Sequence, residues 1–391
     1  MYHAITVLVG LVGAVVILLT AVSAAQTFVV PRGTPLLITR MVLVTIRAVF
    51  RAILRHLPDY RSRDHVLAMF APACLLMIPI VWIVLVLIGF TAVYRAEGVR
   101  SWTDAFLESG SSLFMLGFRN PFNLPSSMTE MVEAGFGLGL IALLIAYLPS
   151  IYASYSRREL LVTALEIEAG SPPSAVALLV RLIHLDGLSL LDQFWRDWSR
   201  WFNDIEETHT ATPILVFFRS PAPERNWVTA AGAVLDSAAL VASTIEVDKS
   251  RQAGAELCVR AGYVALHRIG DYFVMPYDPA PPPGQPIAVT RGEYDEACRL
   301  LATAGAPLRA DRDQSWREFV RRRASYEGAL LRFASLCMAP RAPWSSDRPI
   351  EFHRLPVARH RARARLHRPR RYELRLHARD REAAGSPRTR T

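Results

Sequence analysis

Between two long apolar runs the chain reads SSLFMLGFRNP, with Met115, Leu116, Gly117, Phe118 and Arg119 at its centre. The chemistry such a stretch offers is that of exposed main chain. At membrane depth, backbone outside a helix is tolerated only where protein buries it or water lines it. The other residues capable of chemistry are less organised. Asp186, Asp192, Asp197, Asp204, Glu206 and Glu207 fall in and around one amphipathic stretch, followed by His209. They lack the spaced oxygen ligands and central glycine of a calcium loop, so a solvated face is expected. Cys74, Cys258, Cys298 and Cys337 lie far apart without a CxxC pair, which indicates neither a disulfide framework nor a zinc site. No Ser/His/Asp or Cys/His grouping stands out. No enzyme activity, cofactor or metal is expected.

The elements that hold the glycine-containing stretch are written in hydrocarbon. Residues 4–30, 66–94 and 134–156 carry no charge, and about 20 apolar residues cross a bilayer core. A multi-pass membrane protein follows. Val22-Ser23-Ala24 resembles a signal-cleavage site. Met1-Tyr2-His3 supplies no basic residue ahead of the run, however, so a retained span over 1–33 is expected. Arginine placement sets the orientation. Seven lie between the first two runs and three (Arg95, Arg100, Arg119) between the second and third, and Arg157 and Arg158 follow directly after. The positive-inside rule puts the N-terminus and residues 94–130 outside the cell membrane, and the segments 34–65 and 157 onward in the cytoplasm.

Residues 36–57 read as a basic amphipathic helix, with Arg40, Arg47, Arg51 and Arg55 on one face and Ile46, Val49, Phe50 and Ile53 available to lipid or neighbouring helices. A helix continuing through 156–169 stops at GSPPS. Helical periodicity then marks 175–185, 188–207, 228–245, 253–267, 292–304 and 315–338, with the proline-rich DPAPPPGQP splitting this cytoplasmic domain, 157–340. In 188–207 the aromatics Phe194, Trp195, Trp198, Trp201 and Phe202 recur at helical spacing, as core or subunit-contact residues do. The net charge of +10 is local, because residues 351–391 hold 13 Arg against four acids. A segment so poor in aromatic and aliphatic residues cannot bury a core. Residues 341–391 are therefore read as a disordered tail, open to contact with anionic lipid head groups or nucleic acid.

The module 66–156 has an order of its own. After the outer helix, SWTDAFLESGSSLF reads as a short helix capped near Ser101 or Thr103. MLGFR follows, then the turn residues Asn120 and Pro121, then the inner helix. Span, short helix, glycine-containing strand and span is the order of a re-entrant pore loop.

Over about residues 66–160 the chain resembles the two-span potassium channel pore family, whose filter reads TVGYG. Gly117, the aromatic Phe118 and the apolar Leu116 match. Met115 stands where the family has threonine, and Arg119 where it has its second glycine. The resemblance implies a homotetramer that passes monovalent cations, potassium in the family, with residues 115–119 as the ion filter. It also implies a ring of four Arg119 side chains at the outer mouth, which repels cations. Gly135 and Gly139, in small-xxx-small register, and Pro149 would then be hinge and kink of the inner helix. A second reading keeps the degenerate pore for assembly alone and gives the function to partner binding by the cytoplasmic domain. The expected fold is mainly α, a multi-pass membrane protein with a re-entrant pore-loop module and a cytoplasmic helical domain.

Overall fold

The computed structural model describes residues 2–28, 37–119, 123–186, 188–276 and 284–348, with 278, 281 and 282. Residues 279, 280 and 283 of the proline-rich linker, the Asn120-Pro121 turn and residues 349–391 of the arginine-rich tail lie outside them. Among the described residues the chain is mainly helical and forms no strand, only an isolated bridge between Ile245 and Leu308. It divides into two compact units, Met1–Ser156 and Arg157–Thr391.

The first unit holds α1 (Tyr2–Phe28), α2 (Leu37–Arg55), α3 (Tyr60–Ala68), α4 (Phe70–Glu97), α5 (Trp102–Leu113) and the start of α6 (Leu124–Ala169). Three stretches are long and apolar enough to cross a membrane: Ala4–Thr27, Tyr60–Glu97 and Leu124–Ala169. Glycines let these helices approach closely. A methyl group added at Gly13 of α1 would overlap the carbonyl oxygen of Gly89 in α4, and one at Gly137 of α6 would overlap that of Leu113 in α5. Such contacts replace the hydrophobic effect as the source of association where the surroundings are as apolar as the side chains. Around them pack Ile17, Val86, Phe90, Tyr94, Ala105 and Leu113, with Phe90 edge-on to Phe136. On α2, Phe50 meets Phe70 edge-on at 5.4 Å.

One detail differs from the sequence expectation, and a second, the helical continuation to residue 169, follows it. The short α3, capped by Asp59, which accepts from the Ser62 N–H, precedes the outer helix. Its residues carry no strong apolar periodicity, so the cap and the packing against α4 decide it. The inner helix is also longer than a span. At 46 residues and 1.5 Å per residue it reaches about 69 Å, over twice a hydrocarbon core. It runs unbroken through Pro149.

The second unit contains α7 (Ala175–Asp186), α8 (Leu191–Ala211), a 3₁₀ turn (Pro213–Phe217), α9 (Trp227–Ser243), α10 (Lys249–Tyr272), α11 (Arg291–Thr303) and α12 (Arg312–Leu336). Every residue of α9 is buried. Its alanine-rich sequence keeps it slim enough for α7, α10 and α12 to surround it, as an all-round apolar helix requires. Phe194, Trp195, Trp198, Trp201 and Phe202 of α8 belong to the same core. The packed chain continues past residue 340, where the sequence places the tail boundary. Trp344 and Ser345 are buried, and Arg348 pairs with Glu293. No composition signal marks this extension, because Arg323 and Glu293 supply its partners from distant helices.

Candidate functional site

The glycine-containing stretch is held from below by α5. Ser101 caps that helix by accepting from the Asp104 N–H at 3.0 Å. Three serines on its far turn then work in different directions. Ser109 Oγ lies 2.5 Å from Glu133 Oε1, and Ser112 Oγ donates to the Glu130 carbonyl at 2.7 Å, tying α5 to α6. Ser111 faces the loop. Its buried hydroxyl oxygen accepts from the backbone N–H of Phe118 at 3.1 Å and of Arg119 at 3.2 Å. The Leu116 N–H donates to the Ser111 carbonyl at 2.8 Å, and the Met115 N–H to that of Ser112 at 2.9 Å. Four of the five N–H groups of residues 115–119 are thus spent on α5. Among the described residues, none donates to the carbonyl oxygens of Met115, Leu116, Gly117 or Phe118. Glu97, at the end of α4, accepts from Ser126 at 3.1 Å and Thr129 at 2.5 Å, closing the module between its outer and inner helices.

The backbone of the loop is left-handed at two positions, Met115 at φ 54° and Gly117 at φ 67°. Glycine adopts this region freely, whereas a side chain makes it cost about 1–2 kcal/mol. Arg119 is not among the residues at positive φ, so its replacement of glycine brings no strain of that kind. The strained residue is Met115. The Met115, Leu116 and Phe118 side chains are all more than half exposed.

Arg119 departs from expectation in a second way. Its guanidinium turns back to α5 and donates to Asp104 Oδ1 at 3.1 Å. Where a bare positive charge is expected, the chain holds Arg119 in an ion pair. The hinge candidates also separate. A methyl on Gly135 or Gly139 meets nothing within 4 Å in this chain, whereas Gly137 is the glycine in close helix contact. The i, i+4 register points Gly135 and Gly139 together, away from α5.

Sequence reasoning missed Ser109, Ser111, Ser112, Asp104, Glu97 and Glu133. The available signal was the serine cluster SGSS at the end of a short helix, together with carboxylates immediately beside apolar runs.

In the second unit, the acids around α8 and His209 make no metal centre. Among the described residues no group of three potential metal-ligating side chains exists. His209 is fully buried. Its Nε2 lies 3.3 Å from Arg158 Nη1, and its Nδ1 lies 3.0 Å from Thr208 Oγ1. Burial, reinforced by the Arg158 charge, pushes its pKa well below the ordinary imidazole value, so Nε2 accepts and Nδ1–H donates. Arg158, one of the two arginines that orient the third run, is itself fully buried. It donates to Glu159 at 2.7 Å and to the Leu215 and Phe218 carbonyls at 2.8 Å each. A buried guanidinium requires this degree of satisfaction.

No protein family, curated protein or solved structure matches this chain. Fold and site together define a mainly helical membrane protein with three span-length helices, one of which follows a short serine-pinned helix and a non-helical loop.

Proposed function

We propose that this chain is one subunit of a homotetrameric pore in the cell membrane that passes monovalent cations. Its N-terminus and the 94–130 segment lie outside and its second unit lies in the cytoplasm. The observation that carries the reading is the division of labour in the loop. The N–H groups of Met115, Leu116, Phe118 and Arg119 are held by Ser111 and Ser112, while the carbonyls of Met115–Phe118 have no donor among the described residues. Carbonyls freed in this way can replace an ion's hydration shell when four copies ring an axis. The C-terminal end of α5, where the helix dipole is negative, adjoins the same loop and favours a cation there. The open faces of Gly135 and Gly139 suit contact with a neighbouring inner helix, and Pro149 suits a bend beyond it. MLGFR in place of TVGYG argues for weaker discrimination among cations than a potassium filter gives.

The test is ion flux in liposomes holding the purified protein, read for potassium, sodium and chloride, with the mass of the detergent-solubilised complex measured alongside. Cation flux from a tetramer is expected. A tetramer that moves no ion supports the second reading, a pore kept for assembly. A monomer in gentle detergent and in lipid overturns both. Cysteines introduced at Glu97 and Ser127 are expected to label from outside intact cells and one at Arg61 is not. The reverse pattern would invert the topology.

A further inference from the structure

The second unit contains a cavity of about 380 Å³ lined by Val176, Asp236, Gly292, Ala297, Leu300 and Trp344 among others. Most of this wall is apolar, and Asp236 is its deeply buried carboxylate. Its side chain is 1% exposed. One carboxylate oxygen, Oδ1, takes the Tyr326 hydroxyl at 2.6 Å and the Arg323 guanidinium. No described residue donates to the other, Oδ2, and Asp236 lines the cavity. Arg323 does not belong to Asp236 alone, since its Nε also donates to Glu327 Oε1 at 2.9 Å. Two carboxylates therefore share one buried guanidinium. At the rim, Glu293 and Glu296 add carboxylates already paired with Arg348 and Arg299. The cavity wall also carries Trp344, a bulky residue held at φ 60°. Residues kept in that region concentrate at ligand-binding and functional positions.

We propose that this cavity is a binding site for a small organic cation, a primary ammonium on a short apolar stem. The ammonium would donate to Asp236 Oδ2, and the stem would lie against Val176, Ala297, Leu300 and the Trp344 ring. A buried carboxylate oxygen left without a donor is costly, and a cation of matching shape removes that cost with a charge-assisted hydrogen bond. A bare metal ion is a poor fit, because no cluster of three oxygen, nitrogen or sulfur side chains gathers there. The site is independent of whether the loop in the first unit conducts.

Full-length purified protein should be titrated with n-butylammonium chloride, followed by calorimetry and thermal shift. 1-Butanol, sodium butyrate and sodium chloride serve as matched neutral, anionic and salt controls. Saturable binding of butylammonium within about 10 mM is expected, as for a ligand of so few atoms, with no saturation by the controls. Asp236→Asn is expected to weaken it at least about tenfold. Because that variant disturbs Arg323 as well, Gly292→Leu provides a second arm. A side chain there meets nothing within 4 Å, so the fold is retained while the cavity is filled, and butylammonium binding is expected to fall by a similar factor. Equal binding of 1-butanol, no saturable binding at all, or binding unchanged in Gly292→Leu would overturn the proposal.

Discussion

Arg119 donates to Asp104 across 15 residues of sequence, at 3.1 Å, and so folds the one basic side chain of the loop back onto the start of the helix that precedes it. Both side chains are about two-fifths exposed, so the pair adds little to stability and is screened by salt. In the proposed pore its effect on ion passage would exceed its effect on stability, because it decides whether a charge faces the path alone.

Asp104→Asn is accordingly expected to release Arg119 and lower cation flux by a few-fold at low salt, with the difference shrinking in about 1 M salt. Arg119→Gly is expected to raise flux above wild type, and the double variant to match Arg119→Gly. Flux assays on the four proteins check this. Additive effects would show that the two residues do not act through each other.

Ser111→Ala removes the acceptor for two backbone N–H groups. Each such loss costs about 1–3 kcal/mol, enough to disorder Phe118 and Arg119. Cation flux is expected to fall at least about tenfold, with helical content unchanged by circular dichroism. Wild-type flux in this variant would remove the loop from the conduction path.

Gly137→Ala places a methyl against the Leu113 carbonyl, and overpacking of this kind costs about 1–3 kcal/mol. Gly139→Ala meets nothing within the chain. Thermal unfolding in detergent should therefore fall for the first and hold for the second. If the inner helices meet at Gly139, the second variant instead loses tetramer by mass. A tetramer of full stability would place that face towards lipid.

The second unit carries a built-in acid sensitivity. Burial holds His267 down to about 4, against about 6.5 for an ordinary histidine, and His209 is also held well below it. The unfolded chain then binds protons that the folded chain refuses, so stability rises with pH through this window. It is fully present above about pH 6.5 and drops as pH falls towards 4, by about 1.4 kcal/mol per pH unit for each histidine. Denaturant unfolding of the full-length protein at pH 7, 6 and 5, followed by tryptophan fluorescence, checks the slope. His267→Phe is expected to remove about half of it. A flat profile would mean that both imidazoles are charged in the fold.

The three span-length stretches, the short capped helix at Trp102–Leu113 and most helices of the second unit were readable from sequence. Apolar run length, helical periodicity and caps are local properties, written within the residues that form each element. The loop was equally readable as non-helical backbone between spans, from Gly117 and the nearby prolines. The tertiary structure alone decided what the loop's atoms touch. Ser111 becomes an acceptor, Met115 takes the left-handed conformation in place of Arg119, and Arg119 pairs with Asp104. The burial of Arg158, the packing of Trp344 beyond the presumed tail boundary and the place of Asp236 in a cavity wall are of the same kind. Each depends on a partner in another element or loop, and sequence spacing records which residues share a helix face but not which group beyond the helix meets that face.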